Sequence, residues 1–355
     1  MLRQRCFRLT RVVARTNSIL LAACVSGAAT VVLAQTDSGP PFPPPGKLVD
    51  IGGWRLHIHC LGSASPTTPT VILESGLGDF SVEWSLVQPG VASFARVCTY
   101  DRAGDGWSDV GPYPRTFHQI VYELHTLLEK AGERSPYVLV GHSYGGWLVR
   151  LFQSAYPADV SGLVLVDAGA QDPWRMTANG TLVRSSSLAQ GAAIPAVKTS
   201  GPLRESDIPP GAMSQILQGT QRAAQTANEP PRDKLPAAAK AMRTWALGRW
   251  QHVVAANNPV EADELLAMQR SNAGESYPLG DLPLIVLTRG VPDDTGPDAK
   301  AFEAEHRQDH LEVSRLSRGG RLVVAERSGH HIQIEQPELV IQAIRDVVLS
   351  TARHK

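Results

Sequence analysis

Three side chains in this sequence have the types and neighbours needed for nucleophilic chemistry. The first is Ser143, in YVLVGHSYGGWLVRLF. YVLV reads as a strand, GHSYGG as a sharp turn with glycines on both sides, and WLVRLFQSAY as a helix stopped at Pro157. Strand, strained elbow and helix together present a serine Oγ with its approach clear, because bulk at Gly141 or Gly145 would clash in the turn. A serine hydroxyl attacks poorly until a base takes its proton. SGHHIQIEQPELV supplies a base: the run RLVVAE ends at Ser328 and Gly329, His330 follows on a loop, and Pro337 opens the last helix. The neighbour His331 is expected to pack inside or face solvent.

The third member is a carboxylate that fixes the imidazole tautomer and stabilises its charged form. In the chain order serine, acid, histidine, two strand ends offer one. Asp293, three residues after Gly290 at the end of LPLIVLTRG, is the preferred acid, with Asp294 beside it; Asp167, ending LVLVD, is the alternative. Each is also an ordinary turn residue. The oxyanion of an acyl-transfer intermediate needs two backbone donors. These are expected from Tyr144, directly after the serine, and from Leu77 in the loop LESGLGD.

The elements that must hold these groups are short apolar runs alternating with helical segments. LVDI and RLHIHCL flank Gly52 and Gly53 as a hairpin, and TVILE, RVCTY, YVLV, GLVLV, LPLIVL and RLVVAE follow. FHQIVYELHTLLEKAG has apolar residues at helical spacing, with Thr116 and Gln119 placed as a capping box. Such alternation predicts an α/β protein with a mostly parallel sheet covered on both faces. Residues 168–281 have a different texture: no strand run, helical mixtures of Ala, Gln and Arg broken by prolines, and an apolar face from Trp245, Leu247, Trp250, Val253 and Val254. They read as a helical insertion.

The hairpin, ESGLGD, YDRAGDGWSD, GHSYGG, LVLVDAG and SGHHIQIEQPELV, in this order from Lys47 onward, resemble the α/β-hydrolase superfamily. The resemblance implies an eight-stranded sheet flanked by helices, with a core of residues 47–167 and 282–355. Residues 168–281 would then be a helical cap inserted after strand 6, covering the serine and shaping the acyl and alcohol pockets. Many members carry His-Gly where this chain has Ser75-Gly76. The strand order of the family sets the second strand beside the fourth, which allows a disulfide between Cys60 and Cys98. The implied activity is cleavage of carboxylic esters through an acyl-enzyme on Ser143. Amide or carbon-carbon bond hydrolysis by the same triad is an alternative, and a non-catalytic ligand-binding protein of this fold is another. Epoxide hydrolases and haloalkane dehalogenases resemble this fold but use aspartate where Ser143 stands.

The chain has 355 residues, with 34 Lys plus Arg against 34 Asp plus Glu, so it carries no electrostatic footprint for nucleic acid. At 43% hydrophobic and 19% charged residues it suits a protein with a sizeable core. Residues 1–34 read as a secretory signal peptide, with an arginine-rich start, an apolar run and small residues at Val32 and Ala34. Export to a periplasmic or extracellular space is expected, leaving no stable membrane span; an uncleaved anchor or a lipoprotein acylated at Cys24 in LAAC are the alternatives. Residues 35–46 read as a stiff proline-rich linker.

No phosphate loop or dinucleotide fingerprint follows the first strand, and neither cofactor nor metal is expected. His306 and His310 have the i, i+4 spacing of a metal pair, but Arg307 stands where a zinc-protease motif needs glutamate, so a solvated helix face is expected. His57 and His59 share one side of a strand without an evident third ligand. Arg102 in YDRAGDG is expected to brace its turn by an ion pair. The partner implied is a small ester-like molecule; the oligomeric state is not legible.

Overall fold

The structure, a computed structural model, describes residues 41–176, 181–292 and 299–351. The expected signal peptide at 1–34, Cys24, the first half of the linker at 35–40, and Asp293 with Asp294 lie outside the described residues.

The core begins with β1 (Lys47–Asp50) and β2 (Arg55–Leu61), joined through Gly52 and Gly53, both at positive φ. Asp50 Oδ1 accepts from both glycine amides at 2.8 Å, which pins the turn. Then come β3 (Thr70–Glu74), α1 (Gln88–Ala92), β4 (Val97–Tyr100), α2 (Phe117–Ala131), β5 (Tyr137–His142), α3 (Gly145–Ala155) and β6 (Val160–Val166). The eight-stranded sheet is completed by β9 (Leu284–Arg289) and β10 (Arg321–Ala325), in the order β1-β2-β4-β3-β5-β6-β9-β10. Only β2 and its two neighbours pair antiparallel; every other pair is parallel. Side-chain alternation splits β5 cleanly: Tyr137 and Leu139 join one apolar cluster with residues of α2 and α3, while Val138 and Val140 join the other with residues of the last helix. This is the fold class expected from the sequence.

Thr116 caps α2 by accepting from the Gln119 amide at 3.1 Å. The reciprocal half of the capping box is absent, because the Gln119 side chain turns instead to Glu123 and to the Lys198 carbonyl, each at 3.0 Å. The proline-rich segment is less detached than expected. Trp107 Nε1 donates to the Phe42 carbonyl at 2.9 Å, and Phe42 packs on an apolar cluster with Phe80 and Trp107.

Between β6 and β9 the chain forms α4 (Pro210–Thr226), α5 (Ala237–Leu247), α6 (Trp250–Ala255) and α7 (Glu261–Ser271). It also forms a feature not expected from its texture, a two-stranded antiparallel ribbon of β7 (Trp174–Met176) and β8 (Leu182–Arg184). Three-residue strands are too short to leave a periodic signature. After β9 come α8 (Ala299–Ser314), then α9 (Ile332–Glu335) and α10 (Pro337–Thr351) beyond β10. Among the described residues no helix is long and apolar enough to cross a membrane.

Cys60 and Cys98 face each other across the β2/β4 ladder and form a disulfide.

Candidate active site

Ser143 stands between β5 and α3 with φ of 52°, one of two non-glycine residues at positive φ among the described residues. That left-handed conformation is the strain expected of an elbow. Its amide donates to the Val166 carbonyl at 3.1 Å, while its own carbonyl accepts from Gly146 and Gly169 at 2.9 and 3.0 Å. A Cβ on Gly141 would lie 2.5 Å from the Gly145 carbonyl oxygen, and one on Gly145 would lie 2.7 Å from that of Glu74. Both positions therefore exclude side chains, as the sequence pattern requires.

The other positive-φ residue is Asp167, at 40°, ending the neighbouring strand β6. Its carboxylate is buried and accepts four bonds, two on each oxygen. Oδ1 takes the Arg289 amide at 2.9 Å and His306 Nε2 at 3.0 Å; Oδ2 takes His330 Nδ1 at 2.7 Å and an Arg289 guanidinium nitrogen at 3.1 Å. Burial alone would push this carboxyl up, but the bonds from His306 and His330 and the charges around them hold it well below the usual carboxylate range. Of the two ranked acids, then, the alternative is the one found on the histidine. The preferred one, Asp293, lies outside the described residues.

His330 follows β10 and is anchored on two sides. Its ring is held by Asp167, and its carbonyl accepts from His142 Nε2 at 3.0 Å. His142, the residue before the serine, also accepts at Nδ1 from Gln333 Nε2 at 3.3 Å, so its tautomer is fixed. Burial, reinforced by His330, pulls His142 down to about 3, so it stays neutral. His331 is largely buried, its ring centre 5.3 Å from that of His142, and burial likewise holds it well below the ordinary histidine value. Packing, not solvent, is thus its environment.

The loop after β3 lies across from the elbow. Arg102 donates to the carbonyls of Ser75 at 2.7 Å and Asp79 at 3.1 Å and also to that of Gly76, and pairs with Glu74 at 2.7 Å. The amides of Leu77 and Tyr144 donate to no protein acceptor among the described residues. The Ser75 hydroxyl is buried and accepts from Trp84 Nε1 at 3.1 Å, so it braces the loop from behind. Arg102 is a turn brace, as expected, pairing with Asp105, and its hold extends to the loop after β3.

Helices of the insertion reach the same loop. Arg232 and Arg243 each lie 3.1 Å from Asp79, and Arg243 also pairs with Glu83. Burial opposes ionisation of Asp79, but the two guanidinium groups outweigh it and hold the carboxyl low. On α6, His252 Nδ1 sits 2.8 Å from Asp105 Oδ1, with the ring against Gly78.

Sequence reasoning missed Arg289 and His306 on Asp167. The expectation of a solvated face for His306 and His310 is corrected: α8 packs its histidines against the end of β6, and His310 is fully buried, donating from Nε2 to the Ala168 carbonyl at 2.7 Å. Their i, i+4 spacing was the signal; what it marked was one helix face turned to a carboxylate. Asp167, His306 and His310 form a group whose nitrogen and oxygen atoms are close enough to hold a metal, as do Asp79, His142 and His331. A guanidinium already lies 3.1 Å from each carboxylate, which opposes a second cation, and neither set is assigned one.

An imidazole with Nδ1 committed to a carboxylate leaves Nε2 to act as a base, and the His330 ring lies 4.7 Å, centre to centre, from that of His142, the neighbour of Ser143 on its strained, half-buried elbow. Such a set can take a hydroxyl proton, form an acyl-enzyme and stabilise its oxyanion.

Comparison with known proteins agrees with this architecture. The "Alpha/beta hydrolase family" model matches residues 71–343. An AB hydrolase superfamily protein of Gibberella zeae is 25% identical over 300 residues, covering 80% of this chain and 87% of that one. Three other curated relatives match 33–36% of this chain, which there covers only 18–49% of their own lengths. Among solved structures, a thermophilic esterase of Thermogutta terrifontis superposes with a TM-score of 0.55 at 19% identity, over 86% of this chain and 100% of that one. An epoxide hydrolase, CorEH, does so with 0.57 at 17% identity, over 86% and 98%. At such identities the structures share a fold. With the family model spanning most of the sheet and the elbow, the chain belongs to the alpha/beta hydrolase family.

Proposed function

We propose that this hydrolase cleaves carboxylic esters, with Ser143 as nucleophile, His330 as general base and acid, and Asp167 as the carboxylate that orients and stabilises the imidazolium. The observation that carries this reading is the 2.7 Å contact from His330 Nδ1 to Asp167 Oδ2, at a strand end adjoining the strained serine. His330 takes the Ser143 proton as Oγ attacks the ester carbonyl. The oxyanion forms against the amides of Leu77 and Tyr144, and collapse expels the alcohol with the proton from His330. Water, deprotonated by His330, then releases the acid and restores Ser143.

The serine at the elbow separates this chemistry from that of family members with an aspartate nucleophile. The insertion, read as a cap over the core, is proposed to set the preference for acyl and alcohol groups; its ties to Asp79 on the loop after β3 and to Asp105 on the loop after β4 support that reading. Export is proposed with it, and the Cys60–Cys98 disulfide supports that reading, since such bonds persist in oxidising compartments.

The test is the burst of p-nitrophenol released from p-nitrophenyl butyrate, together with fluorophosphonate labelling. Wild type should show a burst and one labelled serine; Ser143→Ala should show neither. Equal turnover by both proteins would remove Ser143 from the mechanism.

A further inference from the structure

Arg150 lies two turns after the elbow on α3 and is only 9% exposed. Its Nε has no hydrogen-bond partner, and among the described residues no carboxylate, carbonyl or hydroxyl pairs with the guanidinium. Burial without a counter-charge draws it down to about 10, which still leaves it charged at neutral pH. An unpaired buried cation is costly enough that proteins usually supply a partner or a ligand.

The guanidinium borders a cavity of about 290 Å³ between α3, α7 and the segment near Leu279. One part of its wall is apolar, from Leu265, Met268, Leu279 and Leu316; Gln153 and Asn272 add neutral polar groups. Glu275 also borders it but is exposed, with no bond to Arg150. None of Ser143, Asp167 and His330 lines this space, so it is separate from the candidate active site. Its volume sits at the small end of ligand pockets, which run from about 300 to 1,000 Å³.

We propose that this cavity binds a small aliphatic carboxylate, its head paired with the Arg150 guanidinium and its tail along Leu265, Met268 and Leu316. A planar fork of donors matches a carboxylate in two parallel bonds. The apolar wall gives a tail the contact that an inorganic anion would forgo.

The experiment is calorimetric titration of the full chain, in a Ser143→Ala background, with octanoate, octan-1-ol and inorganic phosphate. Octanoate should bind at one site, with octanol and phosphate at least about tenfold weaker, because each lacks either the head or the tail. Arg150→Met should abolish octanoate binding, with circular dichroism checking its fold; Met268→Trp, which fills the apolar end while keeping the charge, should weaken it independently. Octanoate binding unchanged in both variants would place the ligand elsewhere and overturn the proposal. So would no octanoate binding to the parent protein, or phosphate binding as tightly as octanoate. Fluorophosphonate labelling of the Arg150→Met variant with Ser143 intact reports the catalytic reading separately, so the two can fail apart.

Discussion

Asp167 and Arg150 are both buried charges within one core, and they are provided for in opposite ways. Asp167, at the end of β6, takes four donors from β9, α8 and the loop after β10. Arg150, on α3, donates to no acceptor among the described residues and borders a cavity. A charge satisfied from within the fold is preorganised: its partners stay in place whether or not a substrate is present, which suits a group that must orient a base. A charge left without a partner lowers stability and stores an affinity for something outside the chain.

The largest effect expected on this contrast is at Asp167. Asp167→Asn should lower kcat/KM for a short aryl ester by about 10³- to 10⁴-fold, because the amide no longer stabilises the imidazolium and permits the wrong tautomer. Steady-state kinetics on purified protein measures it, and a loss below tenfold would place the working acid elsewhere. His306→Ala removes one of the four donors and leaves His330 in contact. It should lower kcat by about tenfold, roughly 1.4 kcal/mol, with KM little changed and with recovery in His306→Gln, which keeps a donor. A change in KM alone would make His306 a substrate-pocket residue.

Two stability measurements sharpen the same comparison. Arg150→Met should raise the urea midpoint, by about 1–3 kcal/mol in unfolding free energy, since a buried uncompensated charge is replaced by an apolar chain of similar length. A drop of that size would mean that the guanidinium has a partner within the chain. The smallest effect is a pH dependence. A carboxyl held below its usual range contributes stability that is present above the unfolded value, near 4, and is lost as pH falls through the folded value. Urea melts between about pH 3 and 7 should therefore show the gap between wild type and Asp167→Asn widest at neutral pH and narrowing below about pH 4.

Much of the site was legible because it depends on local backbone rules. The elbow at Ser143 follows from glycines that a Cβ would force apart, and His330 from a glycine-ended strand followed by a loop. Which carboxylate meets the histidine was not legible in this way. Asp167 and Asp293 are both strand-end aspartates in the correct chain order, and only the packing of β6 beside β9, with α8 over their ends, brings Arg289, His306 and His330 to Asp167. The histidine pair on α8 was visible, but which side of the helix would be covered was not, since charged residues occupy every turn of AKAFEAEHRQDHLEVS.

The sequence by itself determined the order of strands and helices, the strained turn with its serine, and the family to which the chain belongs, because each is written in contiguous residues and their periodicity. Tertiary structure alone decided which carboxylate meets the histidine, that Cys60 and Cys98 join, and that Arg150 is buried with no partner among the described residues. Those outcomes depend on groups up to 163 residues apart, and attraction between charges is set by distance and by exclusion of water, neither of which is a property of neighbours along a chain.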